Sequence, residues 1–346
     1  MIIYCTTLLP AEPPGPHVQD MKLVKAEIAR SREHSLTEDA RRADFILLFE
    51  RNSFKTQADV RPLLESPLLQ RFPDKSFCVN FDDQPVGLLP GAYVSMPRSR
   101  FDWRRHRAIA YVGQYNEVVS RLANQRNQYV PNLLYSFRGS NSSPARARLL
   151  AELPSSSPEG RVTESTRWFD HTEEEKLAYA EEILRSKFVL CPRGVGTSSI
   201  RLYEAMELGR ALVVISDEWV EPPGPDWLSF AAFVAEDHLS KLPPLLREME
   251  PSAPEMGRRA RRAWELWFSP TRRVHHILRL VRDLSLRRPA SYNEQAYRAQ
   301  WTSWRMWARN GWTMPQRIRR KMAKIVGFAQ PQPAPRPKDA GPKPAQ

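Results

Sequence analysis

The residues best suited to chemistry lie in one stretch, FVLCPRGVGTSSIRLYEAMELGRALVVISD, residues 188–217. An apolar strand is predicted to end in CPRG, a flexible GVGT loop follows, and a helix begins at Ser198 or Ser199. Free amide groups at a helix N-terminus carry about half a positive charge, which suits a phosphate or diphosphate. Gly194 and Gly196 would let the backbone approach such a ligand without a Cβ clash. The loop is neither a Walker P-loop nor a GxGxxG motif, so its spacing predicts an anion site without specifying the ligand.

Arg201 and Glu204 are three residues apart on the predicted helix, so their side chains share one face. The arginine can pair with phosphate oxygens, and the glutamate can accept hydrogen bonds from ribose hydroxyls. The alternative is a solvated ion pair beside an ordinary N-cap, worth about a few tenths of a kcal/mol. Composition alone favours that alternative, because most such pairs are exposed.

Short apolar runs alternate with helical stretches in the first half of the chain. The runs are IIYCTTLL, ADFILLF, FCVNF, AIAYVG and LLYSFRG, with a helix through Met21 to Arg32 after the first of them. Runs of this kind, bounded by turn residues and separated by helices, predict a mostly parallel sheet covered on both faces. A Ser/Pro/Gly linker near Ser155 to Gly160 is the predicted domain boundary.

The second half repeats the alternation with clearer helix signals. VTESTRWF, FVLCP, ALVVISD and FAAFVAE are predicted strands, a Thr-Glu-Glu-Glu cap opens a helix from Thr172 to Ser186, and Gly209 ends the helix that begins near Ser198. Parallel strands need such helical crossovers, so a second parallel sheet is predicted. Two α/β domains in series form two lobes, and their ligand is expected at the carboxyl ends of the strands.

Charge is distributed very unevenly. The chain of 346 residues has a net charge of +13, but residues 251–346 hold 21 Lys and Arg against 5 Asp and Glu, a net of +16, which leaves about −3 for residues 1–250. The predicted organisation is an N-terminal lobe at 1–157, a C-terminal lobe at 158–285, a basic Trp-rich helical extension at 286–328 and a disordered Pro-rich tail at 329–346. The basic end is expected to meet an anionic partner.

Composition also excludes several protein classes. A content of 41% hydrophobic residues is enough for a core, and 14 Gly against 31 Pro excludes a collagen-like chain. Cys5, Cys78 and Cys191 sit in apolar runs without metal spacing, so buried free thiols in a reducing compartment are expected. No signal peptide or run of 18 apolar residues is found, which predicts a cytoplasmic protein that is at most peripheral at the membrane.

The segment from Trp168 to Leu246 contains many residues of one family pattern in the right order. They are Ser186, Phe188, Leu190, Pro192 and Gly194, then Ser199, Arg201, Glu204, Ala205 and Gly209, then Asp217, Asp226 and Trp227, with Glu236 in FVAED at the place of a further acid. This pattern resembles the C-terminal half of the exostosin family of glycosyltransferases. Upstream, LLYSFRGS resembles the Phe-x-Gly segment of that family, whereas most of residues 1–130 resembles it only loosely.

The resemblance implies a GT-B architecture of two Rossmann-like lobes, in which the lobe at 1–157 binds the acceptor and the lobe at 158–285 binds the nucleotide sugar. It also implies an inverting transfer from a nucleotide sugar, expected to be UDP-linked, to a saccharide or lipid-linked glycan acceptor. It implies no cofactor and no metal site of the Asp-x-Asp kind. The implied donor-binding residues are Arg193, Gly194, Ser198, Ser199, Arg201, Glu204 and Asp217, and Phe137, Arg138 and Gly139 are expected to line the cleft from the first lobe.

Without a metal, helix amides and arginines must stabilise the leaving diphosphate. An inverting displacement also needs a base in the first lobe to take the acceptor proton. Asp82, Asp83, His17 and His106 are the candidates, and their spacing singles out none of them.

Aromatic and basic residues alternate near the C-terminus, at Tyr297, Trp301, Trp304, Trp307 and Trp312, followed by a basic run from Arg317 to Lys324. This composition is typical of a helix lying on an anionic membrane surface. The alternative is that the tryptophans pack the last helix against the lobes, and the sequence leaves both open as far as Trp312. The basic run is expected to make a peripheral membrane contact.

Three functions compete at this stage. A glycosyltransferase of surface polysaccharide synthesis accounts for the 186–217 pattern and the two lobes. A non-catalytic scaffold with the same fold would bind nucleotide without transferring sugar. A nucleic-acid binder would use the basic tail, but the body lacks a recognised nucleic-acid-binding module, so no specific nucleic acid is expected.

Overall fold

The computed structural model describes residues 1–8, 16–50, 60–83, 85–113, 116–153, 155, 157, 159–165, 171–289, 292–309 and 318. Two parallel sheets, with six and five strands, organise this part of the chain. The predicted α/β class with two lobes is confirmed.

The first sheet has the strand order β2-β1-β3-β4-β5-β6. Its strands are β1 Ile2–Thr6, β2 Ser35–Leu36, β3 Phe45–Phe49, β4 Ser76–Asn80, β5 Gly91–Tyr93 and β6 His106–Ala108, and its helices are α1 Pro16–Arg30, α2 Arg61–Glu65 and α3 Pro67–Arg71. The apolar runs become central strands because helices cover both faces of the sheet.

Two short strands, β2 and β5, were not predicted, and the predicted strand AIAYVG forms only at its start, within β6. All three residues of β5 are buried. A Cβ on Gly91 would lie 2.0 Å from the backbone oxygen of Cys78, so only glycine allows β5 to pair with β4 here. That pairing depends on a distant strand, which explains why the local pattern did not predict it.

The second sheet has the strand order β11-β10-β9-β7-β8. Its strands are β7 Leu133–Gly139, β8 Gly160–Glu164, β9 Ser186–Pro192, β10 Ala211–Ile215 and β11 Ala231–Phe233, and its helices are α4 Glu117–Ala123, α5 Pro144–Glu152, α6 Glu173–Leu184, α7 Ile200–Glu207, α8 Leu242–Met249 and α9 Ala253–Ala263. Strand β9 is central and buried, which puts the glycine loop that follows it at the middle of the carboxyl edge of the sheet.

The predicted helix boundaries in this lobe are confirmed. Thr172 and Glu175 form a capping box at the start of α6, and Gly209 follows α7 with a φ of 68°. Both signals are local hydrogen-bonding or backbone requirements, so the sequence predicts them directly.

The division between the sheets falls earlier than the predicted boundary at 157/158. Strand β7 pairs with β8 and β9, so LLYSFRG belongs to the second sheet and not to the first lobe. A strand run does not specify which sheet it joins, because pairing partners are set by tertiary contacts. Phe137, Arg138 and Gly139 therefore approach the cleft from the second lobe.

The lobes are joined by contacts near residues 98–99 and 218–221. The backbone amide of Arg98 donates to the carbonyl of Glu218 at 2.8 Å, and its guanidinium donates to the carbonyl of Trp219 at 2.6 Å. The amide of Ser99 donates to the Glu218 carboxylate at 2.9 Å. These bonds hold the carboxyl ends of the two sheets opposite each other.

The chain then returns to the first lobe. Helix α10 Pro270–Leu286 places Val274, Ile277 and Val281 in the core beneath the first sheet, although these residues lie in the segment 158–285 predicted for the second lobe. Helices α11 Glu294–Ala299 and α12 Trp304–Arg309 follow. Crossing back in this way ties the C-terminal segment to the N-terminal lobe.

The position of Trp301 shows that its part of the C-terminal aromatic segment packs against the protein and does not lie on a membrane surface. Its side chain is fully buried in a cluster with Leu69, Leu89 and Tyr93 of the first lobe, and Arg105 pairs with Glu294 at 3.2 Å with both side chains buried. Trp304 is 70% exposed. Trp312 and all of the basic run Arg317 to Lys324 except Ile318 lie outside the described residues. Among those described, no helix has the length and apolar character needed to cross a membrane.

Candidate nucleotide-sugar site

The loop between β9 and α7 reaches the first lobe. Ser199 precedes α7 in an extended conformation, and its side chain makes no capping hydrogen bond. The backbone amide of Ser198 points toward Ser95, with 3.4 Å between N and Oγ. The start of α7 therefore faces the space between the lobes, as the pattern predicted.

The two glycines of this loop have different surroundings. A Cβ on Gly196 would lie 2.7 Å from both Asp83 Oδ1 and Ser95 Oγ. This glycine is needed for contact between the lobes, whereas the sequence suggested that it leaves room for a ligand. A Cβ on Gly194 would lie 3.4 Å from the Arg146 guanidinium, so Gly194 borders the cleft beside a cation.

Arg201 is buried at the base of the cleft with only 7% of its surface exposed. Its Nη2 donates to the Arg138 carbonyl, while Nε and Nη1 have no hydrogen-bond partner among the described residues. The guanidinium stacks 4.5 Å from the ring centroid of Phe137. A buried cation with spare donors is costly unless an anion completes its shell, which is the behaviour expected of a ligand-binding arginine.

Gly139 makes room for that arginine, because a Cβ there would lie 2.8 Å from Arg201 Nη2. The side chain of Arg138 pairs with Glu182 at 2.8 Å. Arg138 thus positions Arg201 through its carbonyl, and its own charge is already compensated by Glu182.

Arg146 is a second cation that sequence reasoning missed. It lies on α5, and it donates to the Ser140 carbonyl at 3.1 Å. Burial, and next the neighbouring charge of Arg201, lower the pKa of Arg146 to about 10. Two adjacent guanidinium groups repel each other, and a diphosphate between them would relieve that repulsion. Ser143 caps α5 four residues after β7 ends, and that cap was the available sequence signal.

Glu204 does not form the solvated ion pair with Arg201 that composition favoured. It is partly buried, and the hydroxyl of Tyr179 donates to its Oε2. Burial raises the pKa of Glu204, opposed by the Tyr179 hydrogen bond and the Arg201 charge. Its position beside Arg201 on the cleft wall leaves a carboxyl oxygen for a polar group of a ligand.

Arg193 and Asp217 take part in a network at the strand ends. Arg193 pairs with Glu236 at 2.6 Å, and the Glu236 amide donates to Asp217 Oδ1 at 3.1 Å. The network links the ends of β9, β10 and β11. The side chains of Arg193 and Asp217 are therefore occupied in positioning these strand ends.

These residues surround a cleft of about 1250 Å³ between the lobes. Its wall includes Arg138, Gly139, Gly194, Ser198, Ser199, Arg201 and Glu204 of the predicted site, and Asp83, Tyr111, Arg146 and Tyr179 as well. The predicted residues of the second lobe thus lie together, apart from Arg193 and Asp217.

The four first-lobe candidates for a base lie in two different places. His106 is buried on β6, where its Nδ1 accepts from the Asp102 amide at 3.0 Å and its Nε2 lies 3.2 Å from the Gly87 carbonyl. It lines neither cavity described here. His17, Asp82 and Asp83 share a second cavity of about 380 Å³ with Asp20 and Glu50, which the sequence did not single out.

The three cysteines are buried free thiols, as predicted. The described residues also contain a group that could hold a metal ion, formed by Glu33, His34 and His275. None of these three residues lines the cleft.

In an open parallel α/β protein, ligands bind in the crevice at the carboxyl ends of the strands, which is where this cleft and its buried cations lie. Residues 93–249 match the Exostosin GT47 domain. The exostosin-like resemblance predicted from the 186–217 pattern is thereby confirmed.

Curated relatives cover only part of the chain. The Exostosin-1 homolog of Caenorhabditis elegans is 32% identical over 116 residues, which are 32% of this chain and 30% of that protein. A probable glucuronosyltransferase of Oryza sativa subsp. japonica is 39% identical over 80 residues, 22% of this chain and 19% of the relative. The matched region thus spans less than a third of either relative.

Two solved structures give weaker likenesses. WaaG, a glycosyltransferase involved in lipopolysaccharide biosynthesis, aligns with 80% of this chain and 99% of its own at 12% identity and a TM-score of 0.36. Anabaena HepE in complex with UDP and glucose aligns with 82% and 99% at 11% identity and a TM-score of 0.41. The two parallel sheets by themselves define the fold as α/β with two lobes.

Proposed function

We propose that this protein transfers a sugar from a nucleotide-sugar donor to a saccharide or glycoconjugate acceptor with inversion, in the synthesis of a surface polysaccharide. The observation that carries the proposal is Arg201, a buried guanidinium with two spare donors at the cleft base beside Arg146. The match of residues 93–249 to the exostosin domain supports it.

The residues suggest how the leaving group would be held. A nucleoside diphosphate carries negative charge that must be stabilised as the bond to the anomeric carbon breaks. Arg201 and Arg146 provide two positive charges, and the amides at the start of α7 provide donors. We propose that these groups suffice without a metal ion, and that the donor is UDP-linked.

We assign Glu204 to binding of the nucleoside part of the donor. It shares the cleft wall with Arg201, and its carboxylate is oriented by Tyr179. A ribose hydroxyl could donate to the remaining carboxyl oxygen, so recognition of the ribose would be coupled to the same helix that holds the diphosphate.

The first test is a thermal-shift screen with UDP, GDP, CMP, dTDP and their sugars, with EDTA present. One nucleotide is expected to raise the melting temperature of the wild type, and this shift is expected to disappear in Arg201→Ala and to shrink in Glu204→Ala. Arg185→Ala is the matched control, because Arg185 is exposed and pairs with its helix neighbour Glu181. The shift should persist in that variant.

Turnover is tested separately, by release of free nucleotide from the donor that binds. A shift that remains in Arg201→Ala would refute the proposed site. A requirement for added Mg²⁺ or Mn²⁺ would refute metal independence. Nucleotide binding without transfer or hydrolysis would support the non-catalytic scaffold instead.

A further inference from the structure

Three side chains of metal-ligating types meet on the first lobe, outside the donor cleft. Glu33 and His34 lie between α1 and β2, and His275 lies on α10. One ring nitrogen of each histidine and one carboxylate oxygen of Glu33 all lie within 4.8 Å of one another. The centroids of the two imidazole rings are 5.1 Å apart. The group therefore joins the N-terminal part of the first lobe to the helix that returns to it.

We propose that Glu33, His34 and His275 bind a Zn²⁺ ion that ties α10 to the first lobe. Two neutral imidazoles and one carboxylate are an established ligand set for zinc, in which a water molecule completes four-coordination. Mg²⁺ and Ca²⁺ prefer oxygen ligands, so two ring nitrogens select zinc and similar transition metals over them. The proposal is independent of sugar transfer, because none of the three residues lines the cleft.

The ring of His34 supplies the observation that favours a bound ion over an ordinary surface cluster. Its Nδ1 atom is buried and has no hydrogen-bond partner among the residues that the structure describes. Buried polar atoms nearly always have a partner, so one that lacks a partner within the protein points to a bound ion or water. An ion is favoured here because the same cluster offers a second imidazole and a negatively charged carboxylate.

The backbone that carries these side chains is fixed on both sides of the group. The amides of Glu33 and His34 donate to Ser31 Oγ at 3.1 and 3.2 Å, and His34 directly precedes β2. His275 follows Val274, which is buried in the core beneath the first sheet. Metal binding therefore requires movement of side chains and not of the elements that hold them.

The distances between the ligand atoms are compatible with tetrahedral zinc. Ligand atoms that lie about 2.0 to 2.2 Å from the metal are about 3.3 to 3.6 Å from one another in a tetrahedron. Separations of up to 4.8 Å exceed this spacing by no more than about 1.5 Å. Glu33 is exposed, and His34 and His275 are half-buried. Rotation of these side chains can therefore close the difference.

Metal binding is tested on the full chain without a polyhistidine tag, stripped with EDTA and dialysed. Calorimetric titration with ZnCl₂ is expected to show one ion bound per chain. Excess ZnCl₂ is also expected to raise the melting temperature, because an ion that binds only the folded protein stabilises it. MgCl₂ and CaCl₂ at the same concentration are expected to leave the melting temperature unchanged.

Variants of the two histidines identify the ligands. His34→Ala and His275→Ala are each expected to weaken Zn²⁺ binding at least about 100-fold, since changing even an outer-shell partner costs about 10-fold to 100-fold. His238→Ala is the matched control, an exposed histidine that follows β11 in the second lobe, and it should bind Zn²⁺ like the wild type.

Melting in EDTA shows whether the variants fold. All of them are expected to melt within about 2 °C of the wild type when no metal is present. If one histidine variant fails to fold, the other provides the comparison. The shift caused by the nucleotide donor is measured in EDTA and should persist in His275→Ala, so failure of the zinc site and failure of the proposed function are distinguished.

Absorption of the Co²⁺-loaded protein shows which atoms bind the metal. Co²⁺ held by nitrogen and oxygen is expected to give visible d–d bands without the near-ultraviolet charge-transfer band of a thiolate ligand. A thiolate band would put the metal on a cysteine and overturn the proposal. The absence of a zinc-induced rise in the wild-type melting temperature, or equal zinc affinity in the wild type and both histidine variants, would overturn it as well.

Discussion

The chemistry of this protein depends on how single charges are buried. Arg201 is held by one carbonyl and two aromatic rings, so most of its hydrogen-bonding capacity remains for a ligand. Arg146 adds a second positive charge at the cost of mutual repulsion. Such a pair destabilises the protein, and a bound diphosphate would offset the repulsion, so under the proposed function donor binding should stabilise the fold.

Arg146→Ala tests that pairing. The variant is expected to bind UDP about 10-fold to 100-fold more weakly, because a charge-assisted contact to phosphate is worth roughly 1.5 to 3 kcal/mol. Uridine, which lacks phosphate, should bind equally well to both proteins in calorimetry. Arg148→Ala is the control, since Arg148 lies on the same helix and is directed to the carbonyl of Glu236. An equal loss for uridine and UDP would contradict the assignment.

The pKa of Asp20 leads to a prediction about how the stability of the protein depends on pH. Burial, then repulsion by Asp82, raises the pKa of Asp20 to about 6 from 3.8. Because the folded-state pKa is the higher one, the charged form is disfavoured by folding: the penalty is absent below pH 3.8, grows between the two values and is complete above about 6.

Asp20→Asn should therefore raise the free energy of unfolding at pH 7.5 by about 1 to 3 kcal/mol, with the gain disappearing near pH 4. Urea denaturation at the two pH values measures this difference. A gain that is equal at both would show that the asparagine acts through packing and not through charge.

At the scale of elements, the largest buried side chain that packs the C-terminal segment onto the first lobe is Trp301. Trp301 is fully buried between α11 and α12, beside the ion pair of Arg105 and Glu294. Three residues along the chain, Trp304 is 70% exposed. The two tryptophans thus have opposite environments although they are three residues apart, because Trp301 lies in the turn between α11 and α12 and Trp304 begins α12.

Replacing Trp301 by alanine is expected to lower the free energy of unfolding by about 3 to 5 kcal/mol, whereas Trp304→Ala should change it by less than about 0.5 kcal/mol. Chemical denaturation of both variants gives the comparison. Equal effects would mean that the segment does not pack on the first lobe in solution.

At the scale of the whole molecule, positive charge is concentrated in residues 251–346, which have a net charge of +16 against about −3 for residues 1–250. We predict that deletion of residues 313–346 leaves donor hydrolysis unchanged and weakens binding to vesicles containing anionic lipid. Co-sedimentation at low and high salt measures the contribution of charge. Unchanged vesicle binding after the deletion would exclude this part of the chain as a membrane contact.

Much of the second lobe could be predicted from sequence because its signals are local. The capping box of α6, the glycine after α7 and the apolar runs of β9 and β10 each arise from hydrogen bonding, backbone freedom or burial within a few residues. The order of residues from Ser186 to Asp217 also carried the family resemblance. The sequence alone therefore determined the α/β class and the family resemblance, and it singled out Arg201 as a candidate, which the structure places in the cleft.

Only the tertiary structure decided which distant residues meet. It put β7 in the second sheet, brought Arg146 beside Arg201, gathered Asp20 and Asp83 at one cavity and buried Trp301 under the first lobe. No local pattern predicts these contacts, because each joins segments whose separation along the chain says nothing about their distance in the fold. Their free energies come from burial and charge pairing, which exist only once both lobes and the returning C-terminal segment are packed together.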